Sequence, residues 1–95
     1  MTRQEALTIL QSRRHLLEEQ YGVRRIGVFG SVARDEALDR SDVDIVVEMD
    51  PDLYRMVHIK ELLEEAFGAH VDLVRRRERM NPLLRERIDR EAVYV

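Results

Sequence analysis

The stretch Gly30-Ser31-Val32-Ala33-Arg34, followed by Asp42-Val43-Asp44 with residues 32–41 between the serine and the first aspartate, decides how this chain is read. The run Val23 to Phe29 before it is short, apolar and rich in β-branched residues, so it reads as a strand buried in part on both faces. Glycine at its end lets backbone approach a bulky anion, serine supplies a hydroxyl, and the amides of a following turn point toward phosphate oxygens. Val43 to Met49 is a second strand. Side chains two apart on an extended chain share a face, so Asp42 and Asp44 direct two carboxylates at one point while Val43 enters the core. If the two strands are antiparallel neighbours, the end of the first and the start of the second lie at one sheet edge. The phosphate site and the carboxylate pair then coincide.

Working outward, Thr2 and Glu5 form a capping box, and Ala6, Leu7, Leu10, Leu17 and Tyr21 recur at helical spacing until Gly22. Residues 31–38 make a short helix or loop, and Asp39-Arg40-Ser41-Asp42 is a turn. Met56, Ile59, Leu63 and Phe67 mark one face of a helix that Asp50-Pro51 precedes and Gly68 ends. A third apolar run, Val71 to Val74, follows, and residues 50–70 suit a right-handed crossover between parallel strands. Asn81-Pro82 opens a last helix carrying Leu84 and Ile88, and residues 91–95 form a terminal edge strand. The expected architecture is α/β (α+β): a small mixed sheet with helices packed on it, in the order α-β-α-β-α-β-α with a final β, as one domain over residues 1–95.

Asp72 is the second residue of the third strand, whose start should adjoin that of the second. Among Val71, Leu73 and Val74 its carboxylate needs a partner, because an unpaired buried charge is very costly. Three carboxylates converging on one spot repel one another unless divalent cations neutralise them. Magnesium answers that need, since it prefers oxygen ligands and is held by carboxylates together with substrate phosphates. Asp42 and Asp44 would bridge two ions, and Asp72 would complete one of them and accept the proton of the attacking group.

The bland readings differ residue by residue. A lone Asp-X-Asp is a common solvated turn, and only its combination with Gly-Ser and a third strand aspartate carries weight. Phosphatases that use an Asp-X-Asp nucleophile place it after an apolar strand, whereas here it precedes one. His15, His58 and His70 lack ligand spacing and receive no role. The run Arg75-Arg76-Arg77-Glu78-Arg79 reads as a solvated loop after the third strand. A net charge of −3 argues against general nucleic-acid binding, and the absence of cysteine against a thiolate zinc site. No apolar run is long enough to span a bilayer and the first residues lack the apolar core of a signal peptide, so a cytoplasmic setting is expected.

Gly30-Ser31, the spacer, Asp42-Val43-Asp44 and the later Asp72 together resemble the motif of DNA polymerase β-type nucleotidyltransferases. The likeness is strongest to the minimal nucleotidyltransferases encoded beside HEPN-domain toxins, and Val71-Asp72-Leu73-Val74, Pro82, Ile88 and Glu91-Ala92-Val93-Tyr94-Val95 look like that branch. The resemblance implies an antitoxin that transfers AMP from ATP to a tyrosine of the partner HEPN ribonuclease, in a hetero-oligomer with it. It also implies Asp42, Asp44 and Asp72 as magnesium-binding catalytic residues, with Gly30, Ser31 and Arg34 at the nucleotide. One position departs from the pattern: Asp35 stands where the family commonly has glycine. An extra acid beside the phosphate site would favour a different reading, a non-catalytic antitoxin that neutralises its toxin by binding alone.

Overall fold

A computed structural model describes all 95 residues, Met1–Val95. The elements run α1 (Arg3–Tyr21), β1 (Arg25–Phe29), α2 (Gly30–Ala33), β2 (Val43–Glu48), α3 (Leu53–Phe67), β3 (Val71–Arg75), α4 (Pro82–Glu91) and β4 (Val93–Tyr94). The order is the one the apolar periodicities imply. Thr2 caps α1 by accepting from the Glu5 N–H, and Gly22 ends it in the left-handed conformation. Asp52 caps α3 through the Arg55 N–H, and Asn81 caps α4 through the amides of Leu83 and Leu84, with Pro82 in the first turn. Such caps satisfy amides that have no partner inside the helix.

The four strands form one sheet in the order β3-β2-β1-β4. β1 is antiparallel to β2, with Phe29 opposite Asp44, and to β4. β2 and β3 are parallel, with Asp44 opposite Asp72. The crossover through α3 therefore joins neighbouring parallel strands, as its length requires.

Two hydrophobic layers flank the sheet. On one face Ile26, Val28, Val43, Ile45, Val47 and Val71 pack with residues of α1 and α3 in the main core. On the other, Phe29 and Val46 pack against Ile88 of α4. Alternation along β2 sends Asp44 to the α4 face, beside Val46. Phe29 and Val46 account for the apolar character of strands whose other face is already covered.

Where a short helix or loop was expected, helix α2 is four residues long and the chain from Arg34 to Asp42 is turn and coil. Two sequence expectations change. β3 is an edge strand, so Asp72 is exposed rather than buried. The burial argument for Asp72 therefore fails, while its placement beside Asp44 holds. The arginine run is not a freely solvated loop. Arg75 belongs to β3 and donates to the Met49 carbonyl, and Arg76 grips both oxygens of Asp89 on α4 at 2.7 and 3.1 Å.

Candidate active site

The site is built where β1 ends and β2 and β3 begin. Phe29 brings the chain to the sheet edge, and Gly30 turns it at φ 73° into α2. That turn needs glycine twice over. Its φ lies in the left-handed region, and a Cβ would collide with Asp44 Oδ2. The Asp44 carboxylate is thus seated directly against the Gly30 backbone, which joins the glycine turn and the Asp-X-Asp segment in one contact. Val43 anchors the Asp42-Val43-Asp44 segment in the core, 1% exposed.

The carboxylates are unequal. Asp42 is half exposed and Asp72 exposed, whereas the Asp44 side chain is 22% exposed. Burial pushes the Asp44 carboxyl above the usual carboxylate range, and the neighbouring charges of Asp72 and Asp42 add to the shift. Arg87 of α4 opposes it, with Nη2 3.9 Å from Asp44 Oδ2. A carboxylate in that position is one whose ionised form gains from an added cation.

Asp42, His70 and Asp72 each offer a ligand atom, and these atoms lie within 4.8 Å of one another. His70 Nδ1 is 3.4 Å from Asp42 Oδ1, and Nε2 is 4.0 Å from Glu64 Oε2. His70 received no role from sequence, yet it precedes Asp72 by two residues on an extended segment. That period placed it on the carboxylate face, and it was the signal available. This cluster of two carboxylates and one imidazole, with Asp44 paired beside Asp72 on the neighbouring strand, fits a divalent cation.

Two further residues come from α4. Arg87 and Glu91 lie one turn apart, with Arg87 Nε 3.6 Å from Glu91 Oε1. Glu91 Oε1 accepts the Gly30 N–H at 3.1 Å and Arg34 Nη1 at 2.6 Å. Arg34, expected at a phosphate, therefore stands at the turn but is tied to Glu91 and, through Nε at 3.2 Å, to Glu36. The four-residue spacing of Arg87 and Glu91 was visible in the sequence; the side of the sheet they would face was not.

Asp35 has φ 61° and turns away from the carboxylates. Its Oδ1 accepts the Arg3 N–H at 2.9 Å, at the first turn of α1. A left-handed φ accounts for glycine being common at this position, and aspartate is among the few other residues that tolerate it. The carboxylate finds a helix N-terminus, which favours negative charge. The one sequence feature that spoke for a non-catalytic reading is thus engaged elsewhere.

A model of the nucleotidyltransferase domain family matches residues 9–95. The chain is similar to the protein adenylyltransferase MntA of Thermococcus cleftensis, 40% identical over 97 residues that cover 100% of this chain and 97% of that protein. A solved structure described as a candidate minimal nucleotidyltransferase superposes with a TM-score of 0.72 at 39% identity, covering 92% of this chain and 93% of that one. A chain from a toxin–antitoxin crystal structure with AMP-PNP superposes at a TM-score of 0.70 and 20% identity, over 99% of this chain and 72% of that one, and shares the fold. The chain belongs to the nucleotidyltransferase domain family. It is a nucleotidyltransferase of the minimal type that the resemblance implied, similar over nearly its whole length to relatives of nearly its own size.

Proposed function

We propose that this chain transfers AMP from ATP to a tyrosine hydroxyl of a HEPN-domain ribonuclease toxin, in the cytoplasm, and so acts as that toxin's antitoxin. The observation that carries this reading is the parallel pairing of Asp44 with Asp72 at the edge where Gly30 closes β1. The similarity to a protein named protein adenylyltransferase supports the acceptor being a protein. The fold shared with a toxin–antitoxin chain solved with AMP-PNP supports both the toxin and the nucleotide.

In this reading Asp42, Asp44 and Asp72 would hold two magnesium ions, and Gly30, Ser31 and Arg34 would receive the triphosphate. Magnesium, when bound with ATP, supplies positive charge at the α-phosphate and at the departing pyrophosphate. Asp72, on the exposed side of the cluster, accepts the proton of the attacking hydroxyl. The hydroxyl oxygen bonds to the α-phosphorus as the bond to the pyrophosphate oxygen breaks. Because Asp42, His70 and Asp72 are exposed, the acceptor reaches them from solvent, and the toxin itself completes the walls of the site.

The test is to incubate the chain with Mg-ATP and its co-expressed toxin and to follow the toxin's mass. AMP should appear on a toxin tyrosine, and Asp42→Asn with Asp44→Asn should lower the rate by at least about 100-fold. Unchanged transfer by the folded double variant would refute the reading. Neutralisation of the toxin by that variant without any mass change would favour masking by binding alone.

A further inference from the structure

The polar centre of the α4 face is not an aspartate of the motif but Glu91, whose side chain is only 12% exposed. Its Oε1 receives the Gly30 N–H and Arg34 Nη1, and Arg87 Nε lies 3.6 Å away. Its Oε2 is 3.7 Å from Arg90 Nη2. One carboxylate thereby gathers three arginines and a backbone amide from α2 and α4. Burial by itself would push this carboxyl up, yet Arg34, Arg87 and the Gly30 amide hold it below the usual carboxylate range. It stays ionised at neutral pH.

Arg34 is the arginine that Glu91 restrains most closely. Its Nε is held by Glu36 and its Nη1 by Glu91, while its Nη2 makes no hydrogen bond within the chain. A free arginine loses rotamer entropy when it binds, and a guanidinium ordered beforehand loses less of it when a ligand arrives. The Gly30 bond acts on the same turn from the backbone side and keeps it seated against Asp44.

We propose that Glu91 is a positioning residue for nucleotide binding: it holds Arg34 and the Gly30 turn so that Arg34 Nη2 stays open to a phosphate oxygen. The inference rests on the function proposed above and adds a residue outside the aspartate motif. Glu91 touches no substrate, and it works through Arg34.

Arg34 and Glu91 should therefore be energetically coupled. Binding of Mg·AMP-PNP, measured by titration calorimetry, should weaken about tenfold in Arg34→Ala and about tenfold in Glu91→Gln, the scale of one charge-assisted hydrogen bond. The double variant should bind no more weakly than Arg34→Ala alone. Melting curves report whether each variant is folded, and Glu91→Asp, which keeps the charge but withdraws it by one methylene, replaces Glu91→Gln if the latter unfolds. Native or tighter affinity in the Glu91 variants, or losses that multiply in the double variant, would overturn the proposal. If the native chain does not bind Mg·AMP-PNP, the proposed function falls with it; if it binds and Glu91 proves silent, only the positioning role falls.

Discussion

Asp44 carries a conflict that belongs to a single residue. Burial raises its carboxyl above the ordinary value of 3.8, and Asp72 and Asp42 raise it further against the pull of Arg87 and Arg34. The folded state therefore holds this proton more tightly than the unfolded chain. Its favourable contribution is fully present below about 3.8 and is lost as pH rises through the raised folded value. At neutral pH the ionised carboxylate opposes folding. Asp44→Asn should accordingly stabilise the metal-free protein by about 1 kcal/mol, or about 4–8 °C in melting temperature, while abolishing transfer. Calorimetric melts in a chelator check this, and a lower melting temperature than native would count against it.

At the scale of elements, β4 is the part that local pattern predicts least securely, because two residues make a strand only when something receives them. Gly27 of β1 is what receives them. A Cβ there would meet the Val93 carbonyl oxygen at 2.6 Å and Tyr94 Cδ1 at 2.9 Å, so β4 lies across β1 only because that position has no side chain. Gly27→Val should expel β4 and cost about 1–3 kcal/mol. The Val95 N–H, which donates to the Ile26 carbonyl at 3.0 Å, should then exchange with solvent at least about tenfold faster. Amides between β1 and β2 should keep their protection. Hydrogen exchange followed by NMR separates the two, and an unchanged Val95 amide would show that β4 is held by other means. The helices were more legible, since Thr2, Asp52 and Asn81 stand at their starts and Gly22 and Gly68 at two of their ends.

Across the whole molecule α4 is fastened by charge as well as by Ile88. The hydrogen-bonded Arg76 pair holds the Asp89 carboxyl below its usual range and ties α4 to the exit of β3. For Glu91 burial works upward, but Arg34, Arg87 and Gly30 prevail and tie the same helix to α2. Both groups release protons more readily when folded. Their contribution is fully present above about 3.8 for Asp89 and 4.5 for Glu91, and it is lost as pH falls through the lowered folded values. The opposite face is held chiefly by apolar packing, with Leu10, Leu17, Ile59 and Leu63 fully buried. Acid should therefore loosen α4 before α1 and α3. Methyl NMR spectra of Ile88 and Leu63 recorded from pH 6 to pH 3 test this, and simultaneous loss of both would contradict it.

By itself the sequence determined the order of elements, the crossover and the meeting of the Gly30 turn with Asp44 at one sheet edge. These follow from periodicity, caps and chain length, which act within a few residues of one another. Asp72 was also within reach, because a parallel crossover makes the starts of two strands neighbours. Only the tertiary structure decided that β3 is an edge, that Asp72 is consequently exposed, and that His70 joins Asp42. It alone set Asp35 on the α1 N-terminus and Glu91 on Arg34 and Gly30. Those contacts link residues far apart along the chain, between elements whose relative placement depends on how two faces of one sheet are covered. Local pattern carries no record of that choice, and the chemistry around the three aspartates is settled by it.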